Sequence, residues 1–372
     1  MALVGRVALA CALSALGCGG GGNGAKGGHA SLPGTGAGDN MAGAIAGMPA
    51  LGGGSPPAAG TTAGGAMAAA PPRVGAAAGD AAVPPSMPAI PGGVTTIPEA
   101  GAPDSGIAYS VMLTMDSFTV DPGGEVWKCQ DFANPFGGQP ADIKLYHNVM
   151  GPGSHHFTLF SKDGATNGSL IDCPEGGLMA GPYTFGAQAQ DVTYPLPPGI
   201  GVAIPGSTGF TMNAHYLNPG ASSVQGHVVL TMSVATPGSV TQHAGVMQFV
   251  YLSIAVPPGG PITVGSSCSL PQDMNVMIVV SHMHHQASHF IASTGGMTLL
   301  ETDQWSDPPG SAFWPALSLK SGADFTWSCI YNNDTLTTLT YGPSAQTDVM
   351  CNAVLTYYPV QDINNPFITC AM

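Results

Sequence analysis

Three patterns of hydrophobic and polar positions divide the chain. Val7 to Leu16 is an apolar stretch interrupted only by Ser14. Gly19 to about Ser105 is Gly, Ala, Pro and Ser with almost no large apolar side chains. Beyond it, Val, Ile, Thr, Tyr and Phe recur in short runs separated by Gly, Pro, Asn and Asp. The third pattern predicts many short strands and turns, an all-β fold. Residues 106–372 suffice for two ordinary β domains. The break falls in VATPGSVTQHAG (residues 234–245), where one strand-like run ends at Thr236-Pro237-Gly238 and another begins at Val246. The expected domains are therefore 106–236 and 237–372. Read as a strand, VMIVVSHMHH places Ile278, Val280, His282 and His284 on one face, with Met283 and His285 on the other. In TDVMCNAVLTYY the period of two puts Met350, Asn352 and Val354 on a common face and Cys351 on the opposite one.

The apolar stretch near the N-terminus is too short to span a bilayer, follows one Arg and ends at Gly17-Cys18, the layout of a secretory signal over residues 1–18. Leu13 to Cys18 resembles a bacterial lipobox, which implies acylation of Cys18, with plain signal-peptidase cleavage as the alternative. Gly19 does not resemble an inner-membrane retention signal. The expected location is the cell envelope, at the outer membrane through a lipid anchor, or secretion. The biased segment 19–105 cannot offset its ordering entropy by burying a core and is expected to be a disordered tether. Twenty-one acidic residues against seven basic ones give a net charge of −14, and beyond residue 105 the only basic side chains are Lys128, Lys144, Lys162 and Lys320. That excludes nucleic acid as an expected partner.

Beyond Cys11 and Cys18, an even set remains: Cys129, Cys173, Cys268, Cys329, Cys351 and Cys370. In an exported protein these are expected to form disulfides. The simplest scheme pairs Cys129 with Cys173 and leaves three options among the other four.

The candidate chemistry lies in His155 and His156 of GPGSHHFTLF, His215 of MNAHYLNP, His282 and His284 of VVSHMHHQ, and Met350 of TDVMCNAVL. No Asp or Glu accompanies the histidines in these segments. Neutral imidazoles with one thioether suit copper cycling between Cu(I) and Cu(II), and argue against calcium, magnesium or a carboxylate-assisted zinc hydrolase. His282 and His284, sharing a face, can chelate one ion. Adjacent residues on a regular strand diverge, so His155 and His156 can share an ion only at a distorted strand end, which Gly151-Pro152-Gly153 supplies. His215 is the third imidazole that site needs. His147, His227, His243, His285 and His289 are read as isolated core, surface or supporting residues.

In order and spacing, His155-His156, His215-Tyr216, His282-Met283-His284-His285 and Met350-Cys351-Asn352 resemble the motifs of the copper type II, ascorbate-dependent monooxygenases, the family of peptidylglycine alpha-hydroxylating monooxygenase and dopamine beta-monooxygenase. The resemblance implies two jelly-roll-like β-sandwiches, each carrying one copper ion and facing the other across a solvent-filled cleft. It implies His155, His156 and His215 as an electron-storing site, and His282, His284 and Met350 as the catalytic site that activates dioxygen. It also implies the bridges Cys268–Cys370 and Cys329–Cys351, beside Cys129–Cys173. The implied reaction is hydroxylation of an sp3 C–H bond, with ascorbate or another one-electron donor as reductant. Two departures bear on substrate. Val280 stands where peptidylglycine hydroxylases have a carboxylate-gripping Arg, and Val354 where they have a Tyr, while Asn352 is retained. Aliphatic contacts do not replace an Arg–carboxylate pair, so the expected substrate is small and mainly apolar. The competing reading is a non-catalytic envelope lipoprotein that binds and delivers copper with the same ligands. A zinc hydrolase is the third.

Overall fold

The computed structural model describes residues 93–98, 106–177 and 181–372. The expected signal segment 1–18, the acylation at Cys18 and most of the expected linker lie outside the described residues. Among the described residues every regular element is a strand, apart from one 3-10 turn at Pro174–Gly177. The all-β reading holds.

Alternation of apolar and polar positions organises two layered sandwiches. In the first, the eight principal strands are Ile107–Thr114, Glu125–Phe132, Ala141–Met150, Ser154–Asp163, Tyr183–Ala187, Ile200–Ile204, Thr208–Leu217 and Val228–Ala235. Numbered in that order, they lie as 1-8-3-6 in one sheet and 2-7-4-5 in the other. In the second they are Gly245–Val250, Gly259–Ser269, Met274–Met283, Ala287–Thr294, Met297–Thr302, Ser311–Leu319, Asp324–Asn333 and Cys351–Tyr358, arranged by the same two sequences. Both are jelly rolls, in which two interleaved Greek keys divide eight strands between two sheets. Each has its own core, built from residues such as Leu113, Ile143, Phe157, Phe210 and Leu230 in the first and Phe249, Phe290, Phe325, Trp327 and Leu355 in the second. After the turn at Thr236–Ser239, where the sequence suggests the domain break, Gln242–His243 still pairs with Ile200–Gly201, and Gly245 opens the second sandwich.

One expectation is corrected. The disordered tether was expected to run to residue 105, yet Gly93–Pro98 is a strand paired antiparallel with Ile107–Thr114 at the edge of the first sandwich. Its Val-Thr-Thr-Ile run has the β-branched composition of a strand, and Pro98, which has no N–H to donate, sits where an edge tolerates it.

The sandwiches meet through sheet faces turned away from their own cores. Along Thr208–Leu217, Phe210, Met212, Ala214 and Tyr216 enter the first core, while Thr211, Asn213 and His215 point outward but are buried too, Asn213 beside a cavity that residues of the second sandwich also line. From the other side, Met277 joins the first core, and Ile278 and Tyr358 pack against it.

The three disulfides are Cys129–Cys173, Cys268–Cys370 and Cys329–Cys351, the pairing implied by the resemblance. Cys268–Cys370 spans the longest separation, 102 residues, for which loop-closure entropy gives about 5 kcal/mol. The Cys268→Ala/Cys370→Ala variant is expected to lose about that much stability in equilibrium denaturation. A loss below about 1 kcal/mol would mean that the bridge does not restrain the unfolded chain.

Candidate metal centre

His215 and His156 are opposed residues on neighbouring strands, and the next register pair is Tyr216 with Ser154. His155 is therefore the extra residue of a β-bulge. A bulge re-aims a side chain that strict alternation would send into the core, and this one lets His155 and His156 converge. Their rings lie 5.2 Å apart, and His215 is 5.0 Å from each. The irregularity expected from Gly151-Pro152-Gly153 is present, two residues further on, at His155.

On the second sandwich, His282 is opposite Asn352 and Val280 opposite Val354. The strand ends at Met283, so His284 reaches the site from the following turn, its ring 5.4 Å from that of His282. Met350 immediately precedes the strand Cys351–Tyr358. Its carbonyl accepts a 2.6 Å hydrogen bond from the Tyr331 hydroxyl, and the Asn352 amide donates to its Sδ at 3.7 Å. Cys351 faces the core and its bridge to Cys329, as the alternation requires.

The structure brings the two donor sets together instead of holding them apart across a cleft. His155 is 5.1 Å from His282 and 5.8 Å from His284, and His156 is 4.9 Å from His282, ring to ring. Donor atoms of His155, His156 and His215 lie within 4.8 Å of one another, and so do those of His155, His282 and His284. His155 belongs to both groups. The physical reason is that the outer faces of two sheets pack directly here, and neutral imidazoles can be buried in contact where charged ones could not.

Hydrogen bonds fix which nitrogen each ring offers. Nε2 of His215 donates to Oε1 of Glu125 at 2.8 Å, leaving Nδ1 buried without a partner. Nδ1 of His284 donates to the Asp348 carbonyl at 3.0 Å, leaving Nε2 buried without a partner. Nδ1 of His282 meets Oε1 of Gln188 at 3.2 Å, which leaves Nε2 as its free lone pair. Neither nitrogen of His155 and not Nδ1 of His156 has a hydrogen-bond partner. Metal-binding histidines characteristically donate the far N–H to a carboxylate, carbonyl or amide and keep the other lone pair for the ion. Buried polar atoms left unpaired are costly, and here they converge. The donor set fits a soft-to-borderline transition ion such as copper.

Burial depresses the basicity of all five rings. It is the largest cause for His155, His156 and His282, each held well below the ordinary imidazole range with further lowering from neighbouring histidines. His284 is pushed down to about 4 by burial, partly opposed by its bond to the Asp348 carbonyl. His215 is also lowered by burial, against the raising influence of Glu125. Burial alone would raise the Glu125 carboxyl, but hydrogen bonds from His215, Ser344 and Ala345 together hold it below its usual value. In the unfolded chain these imidazoles titrate near 6.5, so between that pH and their depressed folded values the unfolded state binds more protons. Stability of the metal-free protein is therefore complete above about pH 6.5 and falls as the pH drops towards 4. The slope approaches 1.4 kcal/mol per pH unit for each imidazole involved. Urea denaturation across that range checks this; a flat profile would mean that the rings are solvated.

Beside the rings is a cavity of about 350 Å³, lined by residues of both sandwiches. His156, His282, Met350, Asn352, Val280 and Val354 all border it, as do Tyr341, Gln248 and Asn213. No Lys or Arg is among its lining residues. Among the described residues, the other histidines have partners of their own. His147 pairs with Asp191, His243 with Asp142, and His289 with Asp303 and Glu301. Nδ1 of His285 donates to the Ala345 carbonyl, and the His227 ring sits against Gly151.

Sequence reasoning missed the supporting residues. Trp127 lies opposite His215 in the strand register and stacks on it, centroids 4.6 Å apart, and Glu125 is two residues away on the same face. Trp305 approaches His155 at 5.7 Å. The histidine segments contain no acid, but the centre does. Glu125 is nevertheless no free general base, since His215, Ser344 and Ala345 occupy its oxygens.

No family model matches the chain, and no curated protein does. Among solved structures it is similar to the major capsid protein P2 from Bacteriophage PM2, with 8% identity over 69% of this chain and 99% of that one and a TM-score of 0.29. It is also similar to the protein YhaK from Escherichia coli, with 11% identity, 72% and 94% coverage and a TM-score of 0.18. A third likeness is to an anti-sigma factor domain-containing protein, with 9% identity, 74% and 91% coverage and a TM-score of 0.15. Likeness at this level carries no argument about function.

Proposed function

We propose that the protein is a copper-dependent monooxygenase of the ascorbate-dependent type, binding two copper ions per chain and hydroxylating an aliphatic C–H bond of a small, mainly apolar substrate. The observation that carries this reading is the convergence of five imidazoles from two sandwiches, with buried, unpartnered nitrogens on His155, His156, His215 and His284, beside a cavity that Met350 also lines. Copper held there would supply one-electron redox chemistry and activation of dioxygen. The balanced reaction is R–H + O2 + 2 e− + 2 H+ → R–OH + H2O, the electrons coming from ascorbate or a similar donor. His155, His156 and His215 would hold one ion; His282, His284 and Met350 would hold the other, with His155, whose donor atoms lie within 4.8 Å of those of both groups of histidines, in reach of it as well. Val280 and Val354 offer the substrate an aliphatic wall, and Asn352 a polar contact. With no cation on the wall, a substrate carboxylate would be desolvated without compensation. Export in an oxidising compartment agrees with the three disulfides.

Oxygen consumption by the copper-loaded protein tests this. Uptake that requires ascorbate and a small apolar substrate, with hydroxylated product in equal amount, is the expected result. Copper binding without uptake on any such substrate would favour the copper-delivery lipoprotein, and efficient turnover of a glycine-extended peptide would overturn the substrate assignment. The cavity beside His282 and Met350 favours the enzyme, since a carrier needs none.

A further inference from the structure

We infer that Glu125 is a positioning residue that locks the two donor sets to each other across the sandwich interface. Its Oε1 accepts from Nε2 of His215 at 2.8 Å and from the backbone N–H of Ala345 at 2.7 Å, and its Oε2 accepts from the Ser344 hydroxyl at 2.6 Å. The first bond lies within the first sandwich; the other two reach the segment of the second sandwich that ends at Met350. That segment is a closed turn. The Ser344 N–H donates to Oδ2 of Asp348 at 3.0 Å, the Asp348 N–H donates to the Ser344 carbonyl at 3.0 Å, and the N–H groups of Gln346 and Thr347 both reach the Ser344 hydroxyl oxygen at 3.2 Å. The Asp348 carbonyl in turn orients His284. One carboxylate thus sets the tautomer of a ligand in the first set directly, and the aim of His284 and the placement of Met350 through one turn.

The surroundings leave the turn little room to shift. Pro343 is seated against Gly176 of the first sandwich, where a Cβ would come within 2.6 Å of the Pro343 ring and the backbone is left-handed at φ 67. Glu125 is only 10% exposed, so its three charge-assisted bonds are only weakly screened by water.

The copper part of the test rests on the proposed function; the other two parts do not. In the metal-free full-length chain, imidazole 15N shifts should report His215 as the Nε2–H tautomer in the native protein, and as a tautomer mixture in Glu125→Gln, whose neutral oxygen accepts more weakly than the carboxylate and whose NH2 replaces the oxygen that accepts from Ser344. Hydrogen exchange of residues 344–350 should accelerate about 10-fold or more in Glu125→Gln and in Ser344→Ala, with the tautomer change confined to Glu125→Gln. With copper, Glu125→Gln should weaken both ions by about 10- to 100-fold, the range for loss of a ligand's hydrogen-bond partner, and Ser344→Ala only the ion at His282, His284 and Met350. Unchanged exchange of 344–350 in Glu125→Gln would overturn the inference, leaving the residue a local partner of His215. If native protein binds no copper while the exchange and tautomer results hold, the lock stands and the enzyme reading falls. Glu125→Asp, a shorter carboxylate, should restore the tautomer but not the slow exchange of the turn.

Discussion

Replacing His155 with alanine is expected to weaken both copper ions, whereas replacing His156 weakens one. His155 is the bulged residue whose nitrogens fall within 4.8 Å of donors in both triads, and it is 2% exposed with neither nitrogen otherwise bonded. Structural four-ligand ions bind with roughly 10–16 kcal/mol, so one lost donor costs about 3 kcal/mol, on the order of 100-fold in affinity. Competition titration should therefore show His155→Ala losing affinity on that order at both sites, and His156→Ala only at the site shared with His215. The protein should stay folded, since removing an unpartnered polar ring relieves desolvation while leaving a cavity. If His155→Ala loads one site normally, the shared role is wrong.

The second large effect is at Met350. Met350→Leu conserves volume, so its stability cost should stay below about 1.5 kcal/mol, and the Tyr331 bond to the backbone at 350 remains. What disappears is the thioether, the soft donor that favours Cu(I). Ascorbate-dependent oxygen uptake is expected to fall at least 100-fold, while the ion at His155, His156 and His215 stays bound with an unchanged Cu(II) spectrum. Equal loss of both ions in Met350→Leu would show that the donors are partitioned differently.

Much of this was legible along the chain because strand alternation is local. The period of two placed Val280 and His282 on one face and Met350, Asn352 and Val354 on another, and those five residues border one cavity. The Gly-Pro-Gly before His155 foretold the irregularity that lets neighbouring imidazoles converge. What remained hidden depends on pairing between distant segments. Glu125 meets His215 only because Trp127 is its register partner, 88 positions away along the strands' pairing and invisible to any local window. Gln188 reaches His282 from a loop of the other sandwich. The merging of two donor sets into one cluster follows from how two outer sheet faces dock, which depends on shape rather than on periodicity. The strand Gly93–Pro98 escaped notice because four β-branched residues are diluted by the Gly, Ala and Pro around them.

Copper-edge anomalous diffraction from crystals of the copper-loaded protein tests the central claim most directly. Two peaks are expected, one within about 2.0–2.2 Å of nitrogens of His155, His156 and His215, including Nδ1 of His215, and one at Nε2 of His282 and His284 with the Met350 sulfur adjacent. Peaks elsewhere in the molecule, or none among these five rings, would contradict it.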